Sequence, residues 1–352
     1  MEKIIFCGGG TLGHFTPNIA IYENLKSTYD FFYICSQNGM EKKMLENVMP
    51  YAEIPTAKLI RSFSLKNLLL PFKLIKSTLL AKKILREQKP ALIFSKGGFA
   101  SVPVVLAGKM LKIPCITHES DRTLGLANKL IAKKCKYVCT SFKETANLIK
   151  NGIYTGTPIR KQIFNGNKHK VIKRHALNTE KRTILVIGGS LGSENINNTI
   201  YLALNDLANY NIIHVTGIGK SKENIKQDNY IQLEFVQDIE NYYASADIVI
   251  TRGERNTLFE LLALKKTTII IPLGTSQSRG DQIENAKYFQ MHKLASVIYE
   301  EDLSKEKLVS TIESVFNNEK MLVRNMESIY KDGTKEVCAI IQKTLNNSKS
   351  IW

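Results

Sequence analysis

Two segments of this chain open in the same way. Ile4-Ile5-Phe6-Cys7 leads into GGGTLGH at Gly8–His14, and Leu185-Val186-Ile187 leads into GGSLGS at Gly188–Ser193. A short apolar run rich in β-branched residues reads as a buried strand, and glycine straight after it reads as a tight turn into a helix. At such a turn, backbone amides can approach a phosphate while the helix dipole adds partial positive charge. A chain that does this twice is constrained to a duplicated architecture.

Short apolar runs recur between longer helix-like segments: Ile4–Cys7, Phe31–Cys35, Leu92–Ser95, Cys115–His118 and Tyr137–Ser141. The alternation predicts a parallel sheet with helices on both faces. It stops at 166–182, where GNKHKVIKRHALNTEKR is polar, basic and without apolar period, as a linker or surface loop would be. It resumes with Thr183–Ile187, Ile212–Val215, Asp247–Thr251, Thr268–Pro272 and Ala295–Tyr299. The fold class is therefore α/β, as two Rossmann-like doubly wound parallel-sheet domains, and 352 residues suffice for both. Duplicated domains of this kind hold ligands in a cleft at the carboxyl ends of their sheets.

The start of the chain, Met1–Phe6, runs directly into a strand, and no apolar stretch approaches the ~20 residues that span a bilayer. An intracellular protein with at most peripheral membrane contact is expected. The six cysteines are scattered through strand-like runs and read as buried thiols, and no metal site is expected because nothing completes a zinc-ligand spacing. Forty-nine basic against thirty-two acidic residues give a net charge of +17, which attracts anionic surfaces or phosphorylated ligands. A nucleic-acid partner is not expected, since charge is its only support.

The first glycine loop has G-x-G-x-x-G spacing through Gly8, Gly10 and Gly13, but no ribose-binding acid closes the Phe31–Cys35 strand, so a dinucleotide cofactor is not expected. A third glycine turn, SKGGFASVP at Ser95–Pro103, suits close backbone approach to a second phosphate-bearing ligand or merely a sharp turn. In the second half, TRGERNTLFE at Thr251–Glu260 sets Thr257 in the first turns of a helix and Glu260 one turn on, where a carboxylate can accept from a ribose diol. Asp281, Gln282 and Asn285 open the next helix, placed for sugar hydroxyls. The segment Arg61–Lys89 mixes eight basic residues with Leu, Ile and Phe. It fits a helix lying on an anionic bilayer, or a packed helix with a solvated basic face.

These motifs together resemble the MurG family of UDP-N-acetylglucosamine:lipid-linked muramyl-pentapeptide transferases. The likeness runs through GGGTLGHFTPNIA, SKGGFASVPVVLA, HESDRTLGLANK, TGTPIR, GGSLGSENIN, FELLAL and GDQIENA, in family order, and is nearest the Gram-positive branch. It implies a GT-B architecture: residues 1–163 as an acceptor and membrane-associating domain, 164–335 as the UDP-GlcNAc domain, and 336–352 as a helix returning to the first domain. The implied reaction is inverting transfer of GlcNAc from UDP to the C4 hydroxyl of undecaprenyl-pyrophosphoryl-MurNAc-pentapeptide. The place is the cytoplasmic face of the cell membrane, in the wall synthesis on which cell shape and division depend.

The resemblance assigns roles residue by residue. His14 is the preferred general base and Asp121 its rival; the family often has Asn at the latter position. Arg160 and Ser190 fall to the donor diphosphate, Glu260 to the ribose, Asp281 and Gln282 to the GlcNAc, with Thr257 at the same helix start. Gly9, Gly10, Thr11, Gly13, Gly97, Gly98 and Asn128 fall to the acceptor. Leu69, Phe72, Lys73, Ile75, Lys76 and Leu79 would meet the anionic inner leaflet. No tightly bound cofactor is implied, only stimulation by Mg2+ through the substrates. One departure stands out: the family reads Arg-Ala-Gly or Arg-Ser-Gly where this chain has Arg252-Gly253-Glu254-Arg255. A carboxylate at that helix start repels a diphosphate unless Arg252 or Arg255 pairs with it. The rival readings are a UDP-sugar:diacylglycerol glycosyltransferase and, in another class, a UDP-GlcNAc 2-epimerase, which has no use for a lipid-binding segment.

Overall fold

The computed structural model describes residues 1–8, 12–37, 39, 41–56, 70–189, 192–274 and 280–347, with backbone alone at 12–14 and 43. The chain divides into two compact units, Met1–Arg160 with Lys331–Trp352, and Lys161–Tyr330.

The first unit holds a seven-stranded sheet: β1 (Lys3–Cys7), β2 (Asp30–Ser36), β3 (Tyr51–Ile54), β4 (Leu92–Ser95), β5 (Cys115–Glu119), β6 (Tyr137–Thr140) and β7 (Gly152–Tyr154). Its order is β3-β2-β1-β4-β5-β6-β7, and each pair is parallel. Alternation along β1 sorts the core. Ile4 and Phe6 face one layer with Val337, Ile341 and Leu345 of the helix Gly333–Asn346, while Ile5 and Cys7 face the other with Ala81, Ile84 and Leu85 of the helix Leu70–Gln88. The last helix is thus part of the first unit's core. Its entry is tight: a side chain on Gly333 would collide with the Thr157 backbone, and Thr334 Oγ1 accepts from Ile159 N–H at 2.8 Å.

The second unit holds β8 (Thr183–Ile187), β9 (Asn211–Val215), β10 (Tyr230–Leu233), β11 (Ile248–Thr251), β12 (Thr267–Ile270) and β13 (Ser296–Val297) in the order β10-β9-β8-β11-β12-β13, again all parallel. The expected linker at 166–182 is a correction. Lys168–His175 is a helix, capped by the Asn167 side chain accepting from His169 N–H at 3.0 Å and ended at Ala176 in the left-handed region. One apolar residue, Val171, is buried beneath it, and Arg174 pairs with Asp238 at 2.9 Å, so docking rather than apolar periodicity stabilises this segment.

All six cysteines are free and buried. Burial pushes the thiols of Cys7, Cys35, Cys135 and Cys139 up to about 12, and that of Cys115 upward as well.

Beneath the second sheet's ligand end, His214 is fully buried between Asn197 Oδ1 and Tyr230 Oη, each 2.9 Å away, and Asn197 donates on to Thr216 O at 3.0 Å. Desolvation pushes the imidazole down to about 3. In the unfolded chain it titrates near 6.5, so below that pH the unfolded state takes up a proton the folded unit refuses. The stability this residue supports is complete above pH 6.5 and drains as pH falls towards 3, by at most about 1.4 kcal/mol per pH unit. Urea denaturation from pH 7 to 5 should show that decline, and His214→Asn should be weaker at pH 7 yet less pH-dependent. Equal slopes in the two proteins would contradict the assignment.

Candidate active site

In a parallel sheet, loops leaving adjacent strands in opposite directions open a crevice where the strand order reverses. The first sheet reverses between β1 and β4, and the second between β8 and β11. The loops at these points are the ones singled out by their glycines.

In the second unit a polar cavity of about 400 Å³ lies at this point, lined by Gly188, Gly189, Gly192, Ser193, Glu194, Asn195, Lys220, Arg252, Glu254, Leu273 and Gln282. Gly192 is in the left-handed region, and a side chain there would collide with Thr216 O, so glycine is required for the turn to pack against β9. The helix Glu194–Ala203 follows, with Ser193 as its cap.

Arg252 crosses the cavity floor. Its Nη1 lies 2.8 Å from Glu300 Oε1 and donates to Ile271 O at 3.2 Å, and its Nη2 donates to Ser193 Oγ at 2.6 Å. Burial works against ionisation of Glu300, yet hydrogen bonds from Arg252 and from Gly274 N–H hold its carboxyl below the usual range. Of the two arginines that could offset Glu254, Arg252 is paired with Glu300 instead. Desolvation raises the Glu254 carboxyl and the nearby Arg252 charge pulls it back, but among the described residues no hydrogen bond or ion pair holds it.

Gln282 reaches the cavity, and its Oε1 accepts from Gly253 N–H at 3.2 Å and Leu273 N–H at 2.9 Å, so its oxygen is committed within the protein. Asn285, read as facing sugar hydroxyls, is buried and donates to Gly253 O at 3.0 Å; it clamps the loop. Thr257 and Glu260 lie in the helix Arg255–Ala263, half-buried and buried respectively, and neither lines the cavity. Asp281 is exposed at the start of the helix Asp281–Met291. Arg160 is the last residue of the first unit's main segment. Ser190 lies outside the described residues.

In the first unit, Gly97 and Gly98 both have positive φ and turn the chain after β4. Gly97 packs on Asn128, whose Oδ1 accepts from Thr117 Oγ1 at 2.9 Å and whose Nδ2 donates to Glu119 Oε2 at 2.9 Å and His118 O at 3.4 Å. Both amide hydrogens of Asn128 are thereby committed within the protein. Glu119 is the organiser that sequence reasoning passed over. Its carboxylate also accepts from Asp121 N–H at 2.9 Å and Gly125 N–H at 2.8 Å, fixing the loop that carries Asp121. Next to it, Lys96 is buried and donates to Ser120 Oγ, Ser120 donates to His118 Nδ1 at 3.3 Å, and His118 Nε2 donates to Gly156 O at 3.0 Å. The carbonyl can only accept, which fixes the tautomer. The HES signature at 118–120 was the available signal, although it does not reveal that the glutamate binds backbone. Gly13 and His14 belong to the first turn of the helix Leu12–Leu25 rather than to the loop before it. The side chain of His14, with Gly9, Gly10, Thr11 and Leu69, lies outside the described residues.

The helix Leu70–Gln88 is amphipathic in reverse near its start. Ser77 and Thr78 are buried, their hydroxyls donating to Pro55 O at 2.5 Å and Leu74 O at 2.7 Å, while Phe72, Ile75 and Leu79 are 72%, 58% and 57% exposed alongside the exposed Lys73 and Lys76. An apolar cavity of about 370 Å³ adjoins it, lined in part by Leu70, Leu74, Phe99, Pro103, Leu126 and Leu130. Among the described residues, no helix is long and apolar enough to cross a membrane.

Comparison with known proteins follows this division. Residues 4–140 match the glycosyltransferase family 28 N-terminal domain, and residues 183–340 match the family 28 C-terminal domain. The chain is 44% identical over 337 residues to the UDP-N-acetylglucosamine--N-acetylmuramyl-(pentapeptide) pyrophosphoryl-undecaprenol N-acetylglucosamine transferase of Clostridium novyi, covering 93% of this chain and 94% of that protein. In fold it is similar to the crystal structure of Acinetobacter baumannii MurG, with a TM-score of 0.76 at 22% identity over 97% of this chain and all of that one. It is also similar to UDP-GlcNAc 2-epimerase from Neisseria meningitidis, with a TM-score of 0.68 at 13% identity over 99% of this chain and all of that one. The fold is therefore shared with a different enzyme class, and sequence decides: the chain belongs to glycosyltransferase family 28 and, within it, to the MurG family.

Proposed function

We propose that this protein moves N-acetylglucosamine from UDP to the C4 hydroxyl of undecaprenyl-pyrophosphoryl-N-acetylmuramoyl-pentapeptide, inverting the anomeric centre, in peptidoglycan synthesis. The observation that carries the reading is 44% identity along almost the whole chain to a transferase whose name states this donor and this acceptor. That name also sets the muramyl lipid ahead of a diacylglycerol acceptor.

The chemistry asks for three things: a base for the attacking hydroxyl, support for the departing diphosphate, and a grip on each substrate. His14 is our candidate for the base, because an imidazole titrates near working pH, with Asp121 as the rival on a loop that Glu119 holds rigid. The glycine turn and Gln282 around the 400 Å³ cavity suit UDP. Ser190 and Arg160 are our candidates for diphosphate contacts on family resemblance alone. Glu260 takes the ribose, beside Thr257, and Asp281 with Gln282 takes the GlcNAc. The turns at 9–13 and at Gly97–Gly98, supported by Asn128, suit the acceptor's diphosphate. No resident cofactor is needed for this displacement.

The exposed face of Leu70–Gln88 supports peripheral docking on the anionic cytoplasmic leaflet, since Phe72, Ile75 and Leu79 have no reason to face water while Ser77 and Thr78 face the core. Lys73 and Lys76 would then meet headgroups.

Two experiments test the reading. In a UDP-release assay with UDP-GlcNAc and a short-chain lipid-linked muramyl-pentapeptide, His14→Ala should lower kcat by about a hundredfold or more. Glu260→Ala should lower kcat/KM about tenfold to a hundredfold through loss of a charged hydrogen bond. No acceptor-dependent release by the unaltered protein would overturn the assignment. In flotation with vesicles containing anionic lipid, the triple variant Phe72→Ser, Ile75→Ser, Leu79→Ser should bind at least about a hundredfold more weakly, as each buried side chain is worth about 1.5 kcal/mol or more. It should unfold at an unchanged urea concentration. Undiminished flotation would remove this helix from the membrane contact.

A further inference from the structure

The cavity of the second unit is electrically unlike the chain that carries it. The sequence has a net charge of +17, yet the cavity wall sets two cations, Arg252 and Lys220, against two carboxylates, Glu194 and Glu254. Of the cations, Arg252 is already committed. It is ion-paired to Glu300 at 2.8 Å and donates to Ser193 Oγ at 2.6 Å, and Glu300 is further held by Gly274 N–H at 3.0 Å and by Asn195 Nδ2 at 3.3 Å. The positive charge in the floor is thus neutralised by the protein itself.

Glu254 is the opposite case. It is exposed at the position just before the helix Arg255–Ala263, and no side-chain capping bond ties it to that helix. Among the described residues no ion pair or hydrogen bond holds its carboxylate. The carboxylate reaches across to the glycine turn, so that a Cβ at Gly189 would lie 2.8 Å from Glu254 Oε1. A carboxylate offset only by the charge of Arg252, which Glu300 already pairs, therefore faces the backbone that a nucleotide diphosphate would approach.

At such range a carboxylate and a diphosphate repel strongly enough to cost about tenfold or more in affinity, even at an effective dielectric near that of a protein surface. Mg2+ removes the conflict in a known manner: it keeps several waters and binds through one or two carboxylates plus substrate phosphates. We propose that Glu254 makes donor binding dependent on a divalent cation, with Mg2+ shared between the Glu254 carboxylate and the diphosphate of the nucleotide sugar. The inference rests on the reading of this cavity as the donor site. The ion arrives with the nucleotide, for among the described residues no three His, Cys, Asp or Glu side chains gather to hold one unaided.

The test is calorimetric titration of the full chain with UDP at neutral pH, once in EDTA and once in millimolar MgCl2, for the unaltered protein and for Glu254→Gln. The expected result is that Mg2+ tightens UDP binding by the unaltered protein about tenfold or more, whereas Glu254→Gln in EDTA binds about as tightly as the unaltered protein in Mg2+ and gains less than about threefold from the ion. Equal affinity in EDTA and Mg2+ for the unaltered protein would overturn the proposal and leave the donor site standing. The same gain from Mg2+ in both proteins would overturn it too, placing the ion on the phosphates alone. No UDP binding by either protein in either buffer would overturn the donor-site reading and this inference with it.

Discussion

A parallel sheet allows no hairpins, and everything in this molecule that concerns ligands depends on that constraint. Every strand is followed by a crossover to the same end, so connections gather there, and where the order turns back two neighbouring loops part and leave space. In each sheet the reversal lies beside the first strand of the unit, so the carboxyl end of that strand stands at the edge of the crevice. The supporting bonds fall into line behind it. Gly192 lies against Thr216 O, Thr216 accepts from Asn197, and Asn197 meets His214, so a polar chain runs from the rim of the second cavity into its core.

The central strands were legible in the sequence for the same reason that they are central. Covered on both faces, they are continuous apolar runs such as Ile4–Cys7 and Thr183–Ile187. The strands that escaped notice, Tyr51–Ile54, Gly152–Tyr154 and Tyr230–Leu233, are all at sheet edges, where half-burial permits residues such as Glu53, paired with Lys42 at 2.8 Å. The helix Lys168–His175 was invisible because it has a single buried apolar residue and docks through charge. Sequence patterns report burial, and elements held by pairing leave little trace in them.

The site divides along a similar line. Residue positions at strand ends could be read from spacing, and the turns at Gly97 and Gly192 are where spacing put them. What a side chain does there could not, because polar groups choose partners in three dimensions. Asn128 and Asn285 spend their amides on the backbone, Gln282 spends its oxygen, and Glu119, buried and bound to three donors, acts as a fastener. The +17 charge was misleading in isolation, because the second unit's cavity does not share it.

The cysteines have a consequence of a different kind. All six, at 7, 35, 115, 135, 139 and 338, belong to the first unit, and the second has none. Thiolate is the form that reacts with alkylating reagents; burial suppresses it at all six in the native fold, and a raised pKa does so as well at Cys7, Cys35, Cys115, Cys135 and Cys139. The chain therefore carries its own clock for one half of itself: the rate of alkylation by a small thiol reagent follows the transient opening of the first unit, and whatever loosening occurs in the second passes unrecorded.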